Sequence, residues 1–299
     1  DEWPDFVFDL PSRAYPDRLN AAGALLDAAI MRGWGERTAI VAPTPAIGMP
    51  GAADTEADGA GAPPLRWTYA DLNVVASRIA HVLTQDFGVR PGNRVLLRGP
   101  NSPMTAACWF AIIKAGAVAV ATMPLLRARE LAAVIDKAQV SHALCDARLA
   151  GELEAARAAC PTLRHVARFA TTAGDGLETW MRQKTATYEP VPTAADDVAM
   201  IAFTSGTTGT PKGTLHFHRD ILAACDCWPV HTLCASADDL FTGSPPLAFT
   251  FGLGGLLLFP MRIGASTLLL ENASPDALLA AIARYRPSVL FTAPTSYRA

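Results

Sequence analysis

The chain has 299 residues, 51% of them apolar, and a formal net charge of −3. That is enough material for one large core or two moderate ones, and a near-neutral chain without a clustered basic stretch argues against a nucleic acid partner. The cysteines, Cys108, Cys145, Cys160, Cys225, Cys227 and Cys234, are scattered and no secretory signal is read at the start, so free thiols in a reducing cytoplasm are expected rather than a disulfide framework.

In chain order, Leu25, Leu26, Ala29 and Ile30 place an amphipathic helix over 20–32, followed by a strand at RTAIVA. Residues 43–64 are rich in Ala, Gly and Pro, carry no periodicity and read as a flexible insertion loop. In WTYADL, Thr68 and Asp71 stand at capping-box spacing and open a helix that turns Leu72, Val75, Ile79, Val82 and Leu83 inward. VRPGNRVLLRG is a turn and a strand. Helices are then expected over 103–115, 128–138 and 149–159, with strands over 117–122 and 140–145. The second half repeats the rhythm: strand VAMIAF, a helix near 218–227, a strand near 238–242, a helix near 252–261, strand ASTLLLE, helix SPDALLAAIARY and strand SVLFTA. Ser274 followed by Pro275 is a good helix start.

Alternating strands and helices at these spacings predict an α/β fold of mostly parallel sheets flanked by helices in layers. There is no internal repeat, and the last residues read as a strand running into an interrupted helix. The apolar run from Met104 to Leu126 is long enough to span a bilayer, but Lys114 sits at its centre and the run divides into a helix and a strand. The run from Leu247 to Met261 is too short, since a span needs about 20 apolar residues. A soluble protein without a membrane partner is expected.

Chemistry concentrates in FTSGTTGTPKG, residues 203–213. Glycines let backbone N–H groups approach phosphate oxygens, hydroxyls add donors, and Lys212 ends the stretch with a positive charge. It is not a Walker motif, because Pro211 stands where Gly is needed and Gly213 where Ser or Thr is needed. A polar strand-to-helix turn is the plain alternative, yet a mere connection does not require this many donors and a terminal lysine.

The string resembles the phosphate-binding signature of the adenylate-forming superfamily, [FY]TSG[ST]TGxPKG, which covers acyl- and aryl-CoA synthetases, peptide-synthetase adenylation domains and firefly-type luciferases. WTYADL resembles the family's TYxEL element and IKAGAVAVATMP its LKAGxxxxP segment. His218 matches a Thr-His pair in which Phe217 replaces the Thr, and SPPLAFTFGLGG is similar to the PLFHxxG element. The likeness spans about residues 20–299, and NRVLLRGPNSPMTAACWFAIIKAG, ATMPLLRARELAAVIDKA and GSPPLAFTFGLGGLLLFP narrow it to benzoate- and 2-aminobenzoate-CoA ligases.

The resemblance implies a partial N-terminal adenylation domain, with approximate subdomains 20–65 plus 226–299 and 66–225 and a C-terminal domain absent. It implies ATP, Mg²⁺ and coenzyme A as reactants around a small aromatic carboxylic acid. Thr204, Ser205, Gly206, Thr207, Thr208 and Gly209 would wrap the β- and γ-phosphates, with Thr204 and Lys212 as catalytic residues. No residue is assigned to the metal, and the elements holding adenine and ribose are expected beyond residue 299. Phe249 occupies the place where the family often has His, as in benzoate-type ligases. With Thr250, Phe251, Gly252 and Gly254 it would form the acid's pocket, the alternative being that Phe249 and Phe251 are core aromatics. A zinc site from His216, His218, Cys225, Cys227, His231 and Cys234 fits no paired-cysteine spacing. Loading of a carrier protein, or a non-catalytic nucleotide- or acyl-binding remnant, stays open beside the ligase reading.

Overall fold

The computed structural model describes residues 10–43, 63–204 and 211–298. Its strands are β1 (Thr38–Ala42), β2 (Leu65–Thr68), β3 (Arg94–Arg98), β4 (Val118–Thr122), β5 (His142–Asp146), β6 (His165–Phe169), β7 (Val198–Thr204), β8 (Lys212–Phe217), β9 (Leu240–Gly243), β10 (Ser266–Leu268) and β11 (Val289–Phe291). Five of them form one sheet in the order β11-β9-β10-β1-β2, parallel except for the β1–β2 pair. The other six form a second sheet in the order β6-β5-β3-β4-β7-β8, parallel except for β7–β8. The layered, mostly parallel α/β arrangement expected from the sequence is the one that forms.

The helices are α1 (Ala28–Met31), α2 (Tyr69–His81), α3 (Pro103–Lys114), α4 (Ala128–Ala138), α5 (Ala150–Arg157), α6 (Leu177–Met181), α7 (His218–His231), α8 (Thr250–Leu253), α9 (Phe259–Ile263) and α10 (Pro275–Tyr285). Three short π-helical stretches adjoin them: Gly23–Asp27 leads into α1, Val82–Asp86 continues α2, and Gly254–Leu258 joins α8 to α9. The capping box opening α2 forms as expected: the Asp71 N–H donates to Thr68 Oγ1 at 3.1 Å and the Thr68 N–H to Asp71 Oδ2 at 2.9 Å.

Sequence pattern decides which layer each helix enters. All twelve residues of α3 are buried, because it runs between the two sheets and packs on α2, β1, β3 and β4. One apolar cluster therefore joins Ile40 and Trp67 of the first sheet to Trp109 and Phe110 of α3 and to Val95 and Leu97 of the second. α4 instead has a single stripe, Leu131, Val134, Ile135 and Ala138, laid with Leu153 of α5 on the far face of the second sheet against Leu96, Val120 and Ala143. Each such Leu or Ile contributes about 1.5–3 kcal/mol by leaving water. α10 covers the outer face of the first sheet with Leu278 and Ala281 against Val41 and Leu268.

Lys114 closes α3 with its side chain fully buried, and its Nζ meets the Asp27 carboxylate at 2.6 and 2.5 Å. The charge that interrupts the long apolar run is thus neutralised inside the fold. Among the described residues no helix is long and apolar enough to cross a membrane. Two strands escape a reading of the sequence: β2, only four residues long, and β6, in whose HVARF only Ala167 and Phe169 are buried; β8, whose polar KGTLHF forms an edge, carries the chain on from the Gly/Ser/Thr stretch as a strand. Most of the 43–64 insertion, residues 44–62, lies outside the described residues.

Candidate active site

β7 runs parallel to β4 and carries Phe203 and Thr204 to the end of the second sheet. The chain then returns antiparallel along it as β8, with Thr204 opposite Lys212 and Phe203 opposite Gly213. The two ends of the Gly/Ser/Thr stretch are therefore neighbours on one hairpin stem, and the chain leaves the stretch along a strand, α7 beginning only at His218. Ser205, Gly206, Thr207, Thr208 and Gly209 lie outside the described residues. Lys212 is exposed at the first position of β8.

Beside this stem lies a cleft of about 230 Å³. Ala121, Thr122 and Met123 at the end of β4 form one wall with Leu126, and α4 adds Glu130 and Val134. Phe203, Thr204 and Pro211 come from the hairpin, and Ala248 and Phe249 from the turn before α8. The structure thus brings Thr204 and Phe249, which lie 45 residues apart in the sequence, onto the same cleft. Thr250 and Phe251 stand exposed on the first turn of α8, with the Phe251 ring 5.6 Å from that of Phe291. Neither Phe249, 41% exposed, nor Phe251, 52% exposed, is a core aromatic. Gly252 and Gly254 are buried beneath that turn. A Cβ on Gly252 would fall 2.1 Å from the Pro246 carbonyl oxygen and one on Gly254 3.1 Å from the Phe259 ring, so both glycines admit close packing.

Two residues that shape the cleft lie in the NRVLLRGPNSPMTAACWFAIIKAG segment but have no role assigned by the sequence. Arg98, buried at the end of β3, donates to the carbonyls of Met123 at 2.7 Å and of Pro124 and Leu126 at 2.9 Å, fixing the loop that forms one wall. A charged residue closing the apolar strand VLLR is the physical sign of it in the sequence. Asn101, in the loop before α3, reaches across to the segment before Phe249.

Of the histidines and cysteines after the stretch, His218 and Cys225 are buried, while Cys227 and Cys234 are exposed. His218 accepts the Ala21 N–H on its Nδ1 at 3.1 Å, which ties α7 to the start of the helical run that leads into α1. Burial pushes its pKa down to about 4. Among the described residues no group of three His, Cys, Asp or Glu side chains could hold a metal ion. An unfolded histidine titrates near 6.5, so between that pH and about 4 the unfolded chain binds the extra proton. Folding stability should fall as the pH drops through this window, with His218 contributing about 3 kcal/mol of the loss. Thermal midpoints of wild type and His218→Asn across pH 4–7 test this: the wild-type curve should fall more steeply, and parallel curves would contradict it.

The model of the AMP-binding enzyme family matches residues 36–299. The chain belongs to that family. Among curated AMP-binding relatives, it is 27% identical to the benzoate–CoA ligase of Thauera aromatica over 291 residues, covering 96% of this chain and 51% of that protein. It is 32% identical to the anthranilate–CoA ligase of Pseudomonas aeruginosa over 230 residues, 74% of this chain and 42% of the relative. A crystal structure of an anthranilate–CoA ligase in complex with anthranoyl-AMP superposes with a TM-score of 0.83 at 26% identity, covering 96% of this chain and 51% of that one. The chain spans about half the length of the curated relatives it matches.

Proposed function

We propose that this chain is part of an ATP-dependent aryl-CoA ligase of the benzoate or 2-aminobenzoate type. The observation that carries the reading is the cleft shared by Thr204, at the foot of the hydroxyl-rich stretch, and the exposed ring of Phe249. A flat apolar wall suits an aromatic ring, while the hairpin end beside it offers donors and a cation for phosphate. The coverage of benzoate– and anthranilate–CoA ligases supports the same assignment.

The carboxylate of the acid would attack the α-phosphorus of ATP, releasing pyrophosphate, and the thiol of coenzyme A would then displace AMP to leave a thioester. The first step brings two anions together, so the protein's task is alignment and charge neutralisation. Thr204 and residues 205–209 are proposed to hold the β- and γ-phosphates and Lys212 to offset their charge, with Thr250 and Phe251 flanking the acid beside Phe249. Glu130 is the only carboxylate among the described cleft residues, which suits a Mg²⁺ that arrives on the phosphates and keeps its waters.

We place the protein in the cytoplasm, where its free cysteines stay reduced. Because its relatives are about twice as long, we propose that these 299 residues do not turn over alone. The test is pyrophosphate release and AMP formation by the full-length protein with benzoate, 2-aminobenzoate and a wider panel of aryl acids. Acid-dependent release, completed by coenzyme A, is the expected result; silence across the panel refutes the reading, and transfer only to a carrier-protein thiol would replace the acceptor.

A further inference from the structure

The wall that carries Phe249 belongs to the first sheet's side of the molecule, yet it is held in place from the second. Asn101 follows β3 and is 7% exposed. Its Nδ2 donates to the Pro245 carbonyl at 3.0 Å, and its Oδ1 accepts the Leu247 N–H at 2.8 Å. Pro245 and Pro246 have no N–H, so the Leu247 amide is the first backbone donor after Ser244, and the Asn101 side chain takes it. A primary amide offers the same donor–acceptor pair as a peptide group, and here it serves as a single rung of backbone pairing.

The remaining ties make that rung decisive. On the other side Ser244 is fastened to the end of β11, its N–H donating to the Phe291 carbonyl at 3.1 Å and its Oγ lying 2.7 Å from Thr292 Oγ1. Beyond the rung, the Phe249 N–H donates to the Pro246 carbonyl at 3.0 Å and closes the turn. Asn101's own loop is stiffened by Ser102, whose Oγ accepts the Thr105 N–H at 3.2 Å. Between Ser244 and the closed turn, the Asn101 pair is the hydrogen-bonded tie, beside the packing of buried Leu247, that joins this wall to the side of the sheet that carries Thr122 and Thr204.

We propose that Asn101 is a positioning residue, holding Ala248 and Phe249 at the separation from Thr122 and Thr204 that sets the fit of the acid's ring. This rests on the aryl-acid reading of the cleft. Asn101→Ala removes both bonds; Asn101→Asp keeps the acceptor but turns an oxygen toward the Pro245 carbonyl.

In the full-length enzyme, both variants should raise KM for benzoate by about tenfold, the scale of one buried hydrogen bond, and leave KM for ATP within about twofold. Discrimination between benzoate and the bulkier 2-naphthoate should narrow. A purely structural residue would lower the thermal midpoint and leave the acid's KM alone, so an unchanged KM in either folded variant overturns the inference. Amide hydrogen exchange supplies a readout independent of folding of the variants: in the unsubstituted protein the Leu247 amide should exchange slowly, and rapid exchange overturns the inference as well. If the unsubstituted enzyme releases no pyrophosphate with any aryl acid, the functional reading fails and takes this inference with it. Normal turnover with unmoved KM fails this inference alone.

Discussion

Replacing Asp27 by alanine is expected to lower the unfolding free energy by about 3–5 kcal/mol, the usual cost of stripping a buried charge of its partner. Lys114 has no exposed surface, and both Asp27 carboxylate oxygens lie within 2.6 Å of its Nζ. Burial lowers the lysine's pKa, and the aspartate pulls in the opposite direction. Without Asp27 the ammonium would have to shed its proton or drag its end of α3 toward water. The double variant Asp27→Ala, Lys114→Met should recover most of the loss, because an apolar side chain of similar length removes the charge that needed a partner. Urea unfolding of the three proteins decides the point. A single variant as stable as wild type would show that the pair contributes nothing.

Lys212→Ala in the full-length enzyme is expected to slow adenylation by about 10²–10³-fold, the scale seen when one preorganised group facing developing charge is removed. The thermal midpoint should stay where it is, since Lys212 is exposed on an edge strand and takes no part in the core. Single-turnover pyrophosphate release measures the first effect and a melt the second. Wild-type adenylation would remove Lys212 from the chemistry. A melt far below wild type would mean that the residue holds the hairpin rather than the phosphates.

Elements with a one-sided apolar pattern were the most legible in the sequence. The stripe of α4 and the cap at Thr68 predict their elements because local spacing alone determines them. α3 was legible as a helix, but its burial on all sides is a fact of the layers around it. β8 was legible only as a strand or turn after PKG, because its residues are exposed and its partner is β7 itself, so pairing rather than hydrophobicity makes it a strand. The candidate site divides the same way. FTSGTTGTPKG and Phe249 announce themselves by composition and resemblance, whereas Arg98 and Asn101 act through backbone carbonyls and amides brought near by the fold. No sequence spacing encodes such partners.

The shared interior built around α3 has a consequence for how the molecule comes apart. Trp109 is buried in one cluster with Ile40 from one sheet and Leu97 from the other, so neither sheet can loosen without wetting the inner face of its neighbour. The chain should lose its helical circular dichroism and its tryptophan fluorescence in a single concerted transition, with no half-melted species between.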